Sequence, residues 1–289
     1  MKIAIIGGSG KMGKWFARFL SKEGKSVILI GRNEAKLKKI GRELGAEITT
    51  NIEAVKQADV ILISVPIDHF EEVVTKLSPH THSEQIILDI TSVKVLPVTA
   101  MHRHIKKGLI LGIHPIFGPG ARSVANHNFV LTPTNQQELA LAEKVRAYLE
   151  TKGAKVTLMN PEEHDEAMTI ILGLAHFIAI VSADTIANLD RLSQMPQIGG
   201  ITYKVLLSLV ESVISEDPGL YASLQMSLPD LAETEELFQK SAKTWAELVK
   251  GKNKPEFISR MRALRTRLEQ DNPNFGKAYD NMYKITEGL

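Results

Sequence analysis

The chain has 289 residues, 44% of them hydrophobic and 24% charged, the composition of a globular protein large enough for two domains. Its 35 Lys and Arg stand against 33 Asp and Glu, a balance that gives no reason to expect a nucleic-acid partner. Cysteine is absent, which excludes disulfides, thiolate metal ligands and a cysteine nucleophile; with no stretch resembling a secretory leader, a cytoplasmic protein is expected.

Residues 3–6 form an apolar run that breaks into Gly7-Gly8-Ser9-Gly10-Lys11-Met12-Gly13 and then into helical spacing of Trp15, Phe16, Phe19 and Leu20. Strand, glycine turn, helix is the order of a dinucleotide site. The first motif glycine, Gly8, permits the tight turn, and Gly10 admits a pyrophosphate to the backbone. Gly13 lets the helix pack close, with its N-terminal N–H groups aimed at the phosphates. Ser9, Lys11 and Met12 complete the turn and join the cofactor-binding candidates.

A second strand at 27–30 leads into Gly31-Arg32-Asn33. Enzymes that take NAD tend to place an acid there for the ribose hydroxyls, but here the first acid is Glu34. Gly31 leaves room, and Arg32 offers a planar cationic fork suited to a 2′-phosphate. NADP is therefore favoured, with NAD the alternative.

A helix over 33–44, a third strand at 48–50 and apolar runs at 60–65, 86–90, 109–113, 129–131 and 156–159 follow. Helical stretches at 69–77, 95–104 and 136–152 separate several of them. Uniformly apolar strands joined by helical crossovers predict an α/β domain, a Rossmann-type doubly wound parallel sheet.

Two polar motifs follow strands, where such a sheet places its ligands: Asp89-Ile-Thr-Ser92-Val-Lys94 and His114-Pro115-Ile-Phe117-Gly118-Pro119. A neutral His114 suits the task of taking a proton from an alcohol as hydride leaves the same carbon. Ser92 would orient that ring or bond the substrate, and Lys94 would fix the loop or neutralise an anion.

Beyond residue 160 the pattern changes. Pro161-Glu162-Glu163-His164 reads as a helix start, and helical periodicity covers 162–191, 201–215, 218–227, 230–250, 254–270 and 273–286 with no convincing strand. Two domains are expected: 1–160 binding the dinucleotide, and 161–289, all-helical. The apolar stretch at 168–186 is interrupted by His176, Ser182 and Asp184, which predicts a buried helix and no membrane span. Stretches 170–186 and 205–214 carry more apolar surface than a small bundle needs, which predicts a homodimer through the helical domain.

Taken together, the glycine turn, Ser64-Val65-Pro66, Asp89-x-x-Ser92-x-Lys94 and His114-Pro-Ile-Phe-Gly-Pro119 resemble the prephenate dehydrogenase family, in its short monofunctional archaeal type. Residues 161–165 and 173–177 resemble its helical domain. The resemblance implies oxidation of prephenate, or of its amino analogue arogenate, with loss of carbon dioxide and hydride transfer to a nicotinamide, in tyrosine biosynthesis. It makes His114 the catalytic histidine, Ser92 its polar partner and His176 a substrate residue, and it adds Ser64, Val65 and Pro66 to the cofactor site. It also implies a dimer through the helical domain and no metal.

Two departures stand out. Gly173-Leu-Ala-His176 replaces the His-x-x-His of the better-known bacterial pattern, and no arginine occurs between Arg191 and Arg260, so none precedes Asp217-Pro218 to hold a substrate carboxylate as in that pattern. Lys94, Arg122 and Lys204 are the candidate replacements. No segment is expected to form an ACT-type regulatory domain or a fused chorismate mutase. Competing readings are a deazaflavin-dependent NADP reductase, in which the HPIFGP motif has no role, and a β-hydroxyacid dehydrogenase, whose helical lysine is missing from 166–186. A non-catalytic NADPH-sensing module would leave the pairing of Ser92 with His114 without a reason.

Overall fold

The computed structural model describes residues 1–189 and 194–287, and the chain divides into two compact units. Met1–Met168 with Met226–Pro229 make the first; the other described residues make the second.

The first unit is built on eight strands: β1 Lys2–Ile6, β2 Ser26–Ile30, β3 Glu47–Thr49, β4 Val60–Ile63, β5 Ile86–Asp89, β6 Leu109–Pro115, β7 Asn128–Thr132 and β8 Lys155–Leu158. Their order in the sheet is β3-β2-β1-β4-β5-β6-β7-β8. The chain steps outward from β1 through β2 to β3 and then returns to lay β4 on the other side of β1. That reversal opens a crevice at the strands' carboxyl ends.

Helices α1 Lys11–Lys22, α2 Glu34–Leu44, α3 Phe70–Leu77, α4 Val95–His104 and α5 Gln136–Thr151 cover the two faces. Ile3, Ile5, Val27 and Leu29 point into one core with Trp15, Phe16, Leu37 and Leu141. The alternate residues Ala4, Ile6, Ile28 and Ile30 point into the other, with Phe70, Val74, Leu77 and Met101. Because both sides are dry, adjacent strand residues must all be apolar, which is why the strands read as unbroken runs.

One pairing departs from the all-parallel sheet expected. β7 runs antiparallel to β6, with His114 opposite Val130. The 116–127 connection contains no helix to carry the chain back across a face, so it returns alongside its own strand. After α5 crosses over, β8 is again parallel to β7.

α6, Pro161–Met168, stays with the first unit, so the division falls eight residues beyond the expected boundary of 160. The reason is local: Pro161, His164, Asp165 and Met168 are buried there.

A π-helical stretch, Thr169–Leu174, opens the second unit. The helices that follow are α7 Ala175–Ala187, α8 Met195–Ile198, α9 Ile201–Ile214, α10 Pro218–Ser227, α11 Leu231–Lys250, α12 Lys254–Asp271 and α13 Ala278–Glu287. No strand occurs among the described residues of this part. Residues 190 and 191 of the helix expected over 162–191 lie outside the described residues.

The expectation of a buried apolar helix is corrected by the structure. The continuous helix Pro161–Ala187 is long and apolar enough to cross a membrane by length and composition, and only 11% of its most apolar window is buried within the chain. α7 packs on α9 and the π-helical stretch on α11, but a helix apolar all round cannot be covered from one side. Ile170 and Ile171 are left 64% and 51% exposed.

Candidate active site

The glycine turn follows from a crowded crossing of backbones. Gly7 has φ +84°, and a Cβ there would overlap the carbonyl oxygen of Ser64 at the end of β4. Its N–H and that of Gly8 both donate to the Ile30 carbonyl, at 2.9 and 3.1 Å, and tie the turn to β2. A Cβ on Gly13 would run into the Gly7 carbonyl oxygen, so the first turn of α1 lies directly on the loop. Gly10 is the N-cap of α1 and supplies no capping side chain, which leaves the helix start, with Lys11, Met12 and Gly13, suited to an anion. Sequence reading placed the demanding glycine at Gly8; the left-handed residue is Gly7, one position earlier.

A cleft of about 620 Å³ opens beside this turn, lined among others by Ser9, Arg32, Lys36, Ser64, Val65 and Pro66. Arg32 is exposed and hydrogen-bonds nothing among the described residues. Asn33 caps α2 by accepting from the Lys36 N–H at 2.9 Å, which sets Lys36 one turn beyond Arg32 on the same cleft. The cleft's carboxylate, Glu72, is held by Lys76 at 2.6 Å, and that bond draws its pKa below the usual carboxylate range. The walls therefore favour an anion.

The second cluster is buried and made of side chains. His114, near the end of β6, places Nδ1 2.8 Å from Nε2 of His164 on α6. Nδ1 of His164 lies 2.7 Å from Oδ1 of Asp165. Both oxygens of Asp165 also accept backbone N–H bonds at the start of α4, from Lys94 at 2.7 Å and Val95 at 2.9 Å. A carboxylate that receives donors on both oxygens is fixed as an acceptor, and this sets every proton up the line. His164 must donate from Nδ1, so its neutral ring accepts at Nε2. His114 must then donate from Nδ1, which leaves its Nε2 with a bare lone pair. Burial first, then the cost of a second positive charge beside His164 and Lys94, hold the His114 pKa well below the ordinary histidine value. Burial also lowers the pKa of His164, against the pull of Asp165. Both rings are neutral at neutral pH.

Lys94 is fully buried, and its ammonium is taken by Asp89 and by the Ile113 carbonyl at 2.9 Å. Burial pushes Asp89 up and Lys94 down, and each opposes the other's shift. Thr91 donates its N–H to the remaining Asp89 oxygen at 2.8 Å. Lys94 thus ties the ends of β5 and β6 together through its side chain and holds Asp165 through its backbone. Of the two roles weighed from sequence, it fixes the loop, and its charge is already spoken for.

Of the remaining candidates, Ser92 and Arg122 belong to the first unit, and Lys204 and His176 to the second. Ser92, expected as the partner of His114, is half-buried and bonds nothing among the described residues; His164 holds the His114 Nδ1 instead. Arg122 is exposed in a different cleft, beside Trp15, Arg18 and Lys22. In the second unit, Lys204 is exposed on α9. His176 on α7 stacks edge-on against Tyr221 at 4.8 Å, with a buried Nδ1 that has no partner and a pKa lowered by burial. His164, Asp165 and Asp89 were missed as site residues, although the adjacent His164-Asp165 pair at a helix start was visible as a motif. Among the described residues no cluster of His, Asp and Glu could hold a metal ion.

Two family models match the chain in succession. One, described as prephenate dehydrogenase, nucleotide-binding domain, covers residues 16–158; the other, prephenate dehydrogenase, dimerization domain, covers 160–263. A probable arogenate/prephenate dehydrogenase of Methanocaldococcus jannaschii is 36% identical over 266 residues, 91% of this chain and 60% of that protein. The T-protein of Haemophilus influenzae is 31% identical over 78% of this chain and 56% of its own length. The chain thus spans roughly three-fifths of the curated relatives it matches. Among solved structures, prephenate dehydrogenase from Aquifex aeolicus, in complex with hydroxyphenyl propionate and NAD+, shares the fold with a TM-score of 0.76. It is 24% identical and covers 94% of this chain and 98% of its own.

Proposed function

Because the chain belongs to the prephenate dehydrogenase family, we propose that it catalyses the oxidative decarboxylation of prephenate to 4-hydroxyphenylpyruvate, with NADP+ the favoured acceptor and NAD+ the alternative. The observation that carries the reading is the bare Nε2 of a neutral, buried His114 at the carboxyl edge of the sheet. It is the base that an alcohol oxidation needs.

The residues of the glycine turn fit a dinucleotide. Gly7 and Gly13 let the turn close up against the end of β4 and the first turn of α1, and the uncapped start of α1 beside it suits a pyrophosphate. Gly8, Ser9, Gly10, Lys11, Met12 and Gly13 would hold that group, with Ser64, Val65 and Pro66 lining the adjoining wall. Arg32 and Lys36 would hold a 2′-phosphate, which is the reason for favouring NADP. The nicotinamide, when bound, supplies the hydride acceptor. His114 takes the ring hydroxyl's proton at Nε2 as that hydride leaves the same carbon, and loss of carbon dioxide completes an aromatic ring. Ser92 would bond the substrate hydroxyl. With the Lys94 ammonium committed to Asp89, Arg122, Lys204 and His176 stand as the proposed residues for the substrate's carboxylates, each to be ranked by the KM of its variant.

Arogenate is the second substrate to weigh, since the Methanocaldococcus relative is described by both names. A homodimer through the helical domain goes with the reading: the matched family model is named for dimerization, and the exposed Ile170, Ile171 and Val181 offer an apolar face. The proposed compartment is the cytoplasm.

The test is absorbance at 340 nm with purified protein, each substrate and each cofactor. Reduction of NADP+ by prephenate is expected, and His114→Asn should cut kcat by about 10²–10⁴ while cofactor affinity holds. If no combination of substrate and cofactor reacts, the reading fails.

A further inference from the structure

His114 presents a difficulty as a base. It is buried, and protonating it would place an uncompensated charge among a buried lysine and a second ring. The groups around it are His164 and Asp165 from α6, with Lys94 from the start of α4 and Asp89 from the end of β5. Asp89 is matched by Lys94. Along the line of hydrogen bonds that starts at His114, the carboxylate is that of Asp165, which faces Nδ1 of His164 at 2.7 Å.

We propose that His164 and Asp165 are positioning residues for the reaction, taking up the positive charge that His114 gains with the substrate's proton. The inference rests on His114 being the base. As the substrate's O–H bond breaks, a bond forms from that hydrogen to Nε2 of His114. The N–H bond at Nδ1 of His114 then breaks, and that hydrogen passes across the 2.8 Å contact to Nε2 of His164. The positive charge moves onto a ring whose Nδ1–H already faces the Asp165 carboxylate at 2.7 Å. No proton leaves the line; the reverse transfer restores both rings once product has gone and water reaches Nε2 of His114. Before the reaction, the same carboxylate performs a second task by keeping that Nε2 unprotonated.

Two variants separate this from a packing role. His164→Gln keeps an acceptor for the His114 Nδ1–H and cannot take a proton, so kcat should fall by about 10²-fold with cofactor binding unchanged. Asp165→Asn presents an N–H where the carboxylate accepted, which should drive both rings to the Nε2–H form. Nitrogen-15 NMR of labelled histidines reads those forms directly in the protein without substrate. Nδ1–H is expected on both rings of the wild type and Nε2–H on both in Asp165→Asn. A wild-type kcat in His164→Gln, or wild-type rings in another form, would overturn the relay. Protein that shows the expected ring forms yet leaves prephenate and arogenate untouched would overturn the proposed activity, and the relay that rests on it, while the order of hydrogen bonds along the line would stand.

Discussion

The cleft beside the glycine turn, proposed for the cofactor, and the buried histidine line, proposed as a relay, both lie where strands of one sheet end, and they are built by opposite means. The cleft is open and made of backbone: its shape depends on what Gly7 and Gly13 lack, and its charge comes from exposed Arg32 and Lys36. The relay is closed and made of side chains, with Asp89, Lys94, His114 and His164 all buried. An exposed cation can be removed with small consequence for the fold. A buried charge cannot, because its partner is left behind in a medium that will not solvate it.

Lys94 gives that contrast its largest test. Lys94→Met leaves Asp89 fully buried without its counter-charge, and should cost about 3–5 kcal/mol in denaturant unfolding. Adding Asp89→Asn to the same chain should recover part of the loss, since the orphaned charge goes with it. Arg32→Ala in parallel should leave the unfolding midpoint nearly where it was. If Lys94→Met unfolded like Arg32→Ala, the Asp89–Lys94 pair would not be holding the strand ends.

The same contrast decides what could be read from the sequence. The glycine turn and the eight strands are contiguous, local patterns, and each was legible because one segment carries the whole signal. Even there the reading slipped by a residue. The demand for glycine comes from the Ser64 carbonyl, more than fifty positions away, and it falls on Gly7. The antiparallel β7 followed from a connection without a helix, a feature present in the sequence but not weighed. The relay draws on segments around residues 89–95, 114 and 164–165, and no spacing rule links them. Sequence therefore left two roles open for Lys94, fixing the loop or neutralising an anion: the Asp89 that binds it lies in the same motif, but only burial turns that proximity into a pair. Ser92 read as the histidine's partner on the family pattern, while the His164 that meets His114 lies fifty positions away.

Arg32 sharpens the open side of the comparison. If it reads the 2′-phosphate, Arg32→Ala should weaken NADP+ binding by about 10–100-fold, the loss of one charge-assisted contact, while NAD+ affinity stays within a factor of a few. Titration of both cofactors against wild type and variant gives the ratio. Lys36 faces the same cleft, and Arg32→Ala with Lys36→Ala should remove more of the preference than either alone. Unchanged discrimination in the double variant would mean that the cleft reads the ribose by other groups.

The smallest expected effect belongs to the relay and appears as pH dependence of stability. Burial lowers the folded-state pKa of both His114 and His164, while the unfolded chain titrates near the ordinary value of about 6.5. Below that value the unfolded state binds protons that the folded state refuses, so stability rises with pH across this range. The contribution is complete above neutrality and is lost as pH falls from about 7 toward 5, by at most about 1.4 kcal/mol per pH unit for each ring. The carboxylates with lowered pKa values, such as Glu43 and Glu71, begin to matter only at more acid pH. Unfolding of His164→Gln at pH 7 and pH 5 should therefore show a smaller difference than the wild type shows. Equal differences would mean that the His164 ring titrates as freely in the folded protein as in the unfolded chain, and that it is not held neutral between His114 and Asp165.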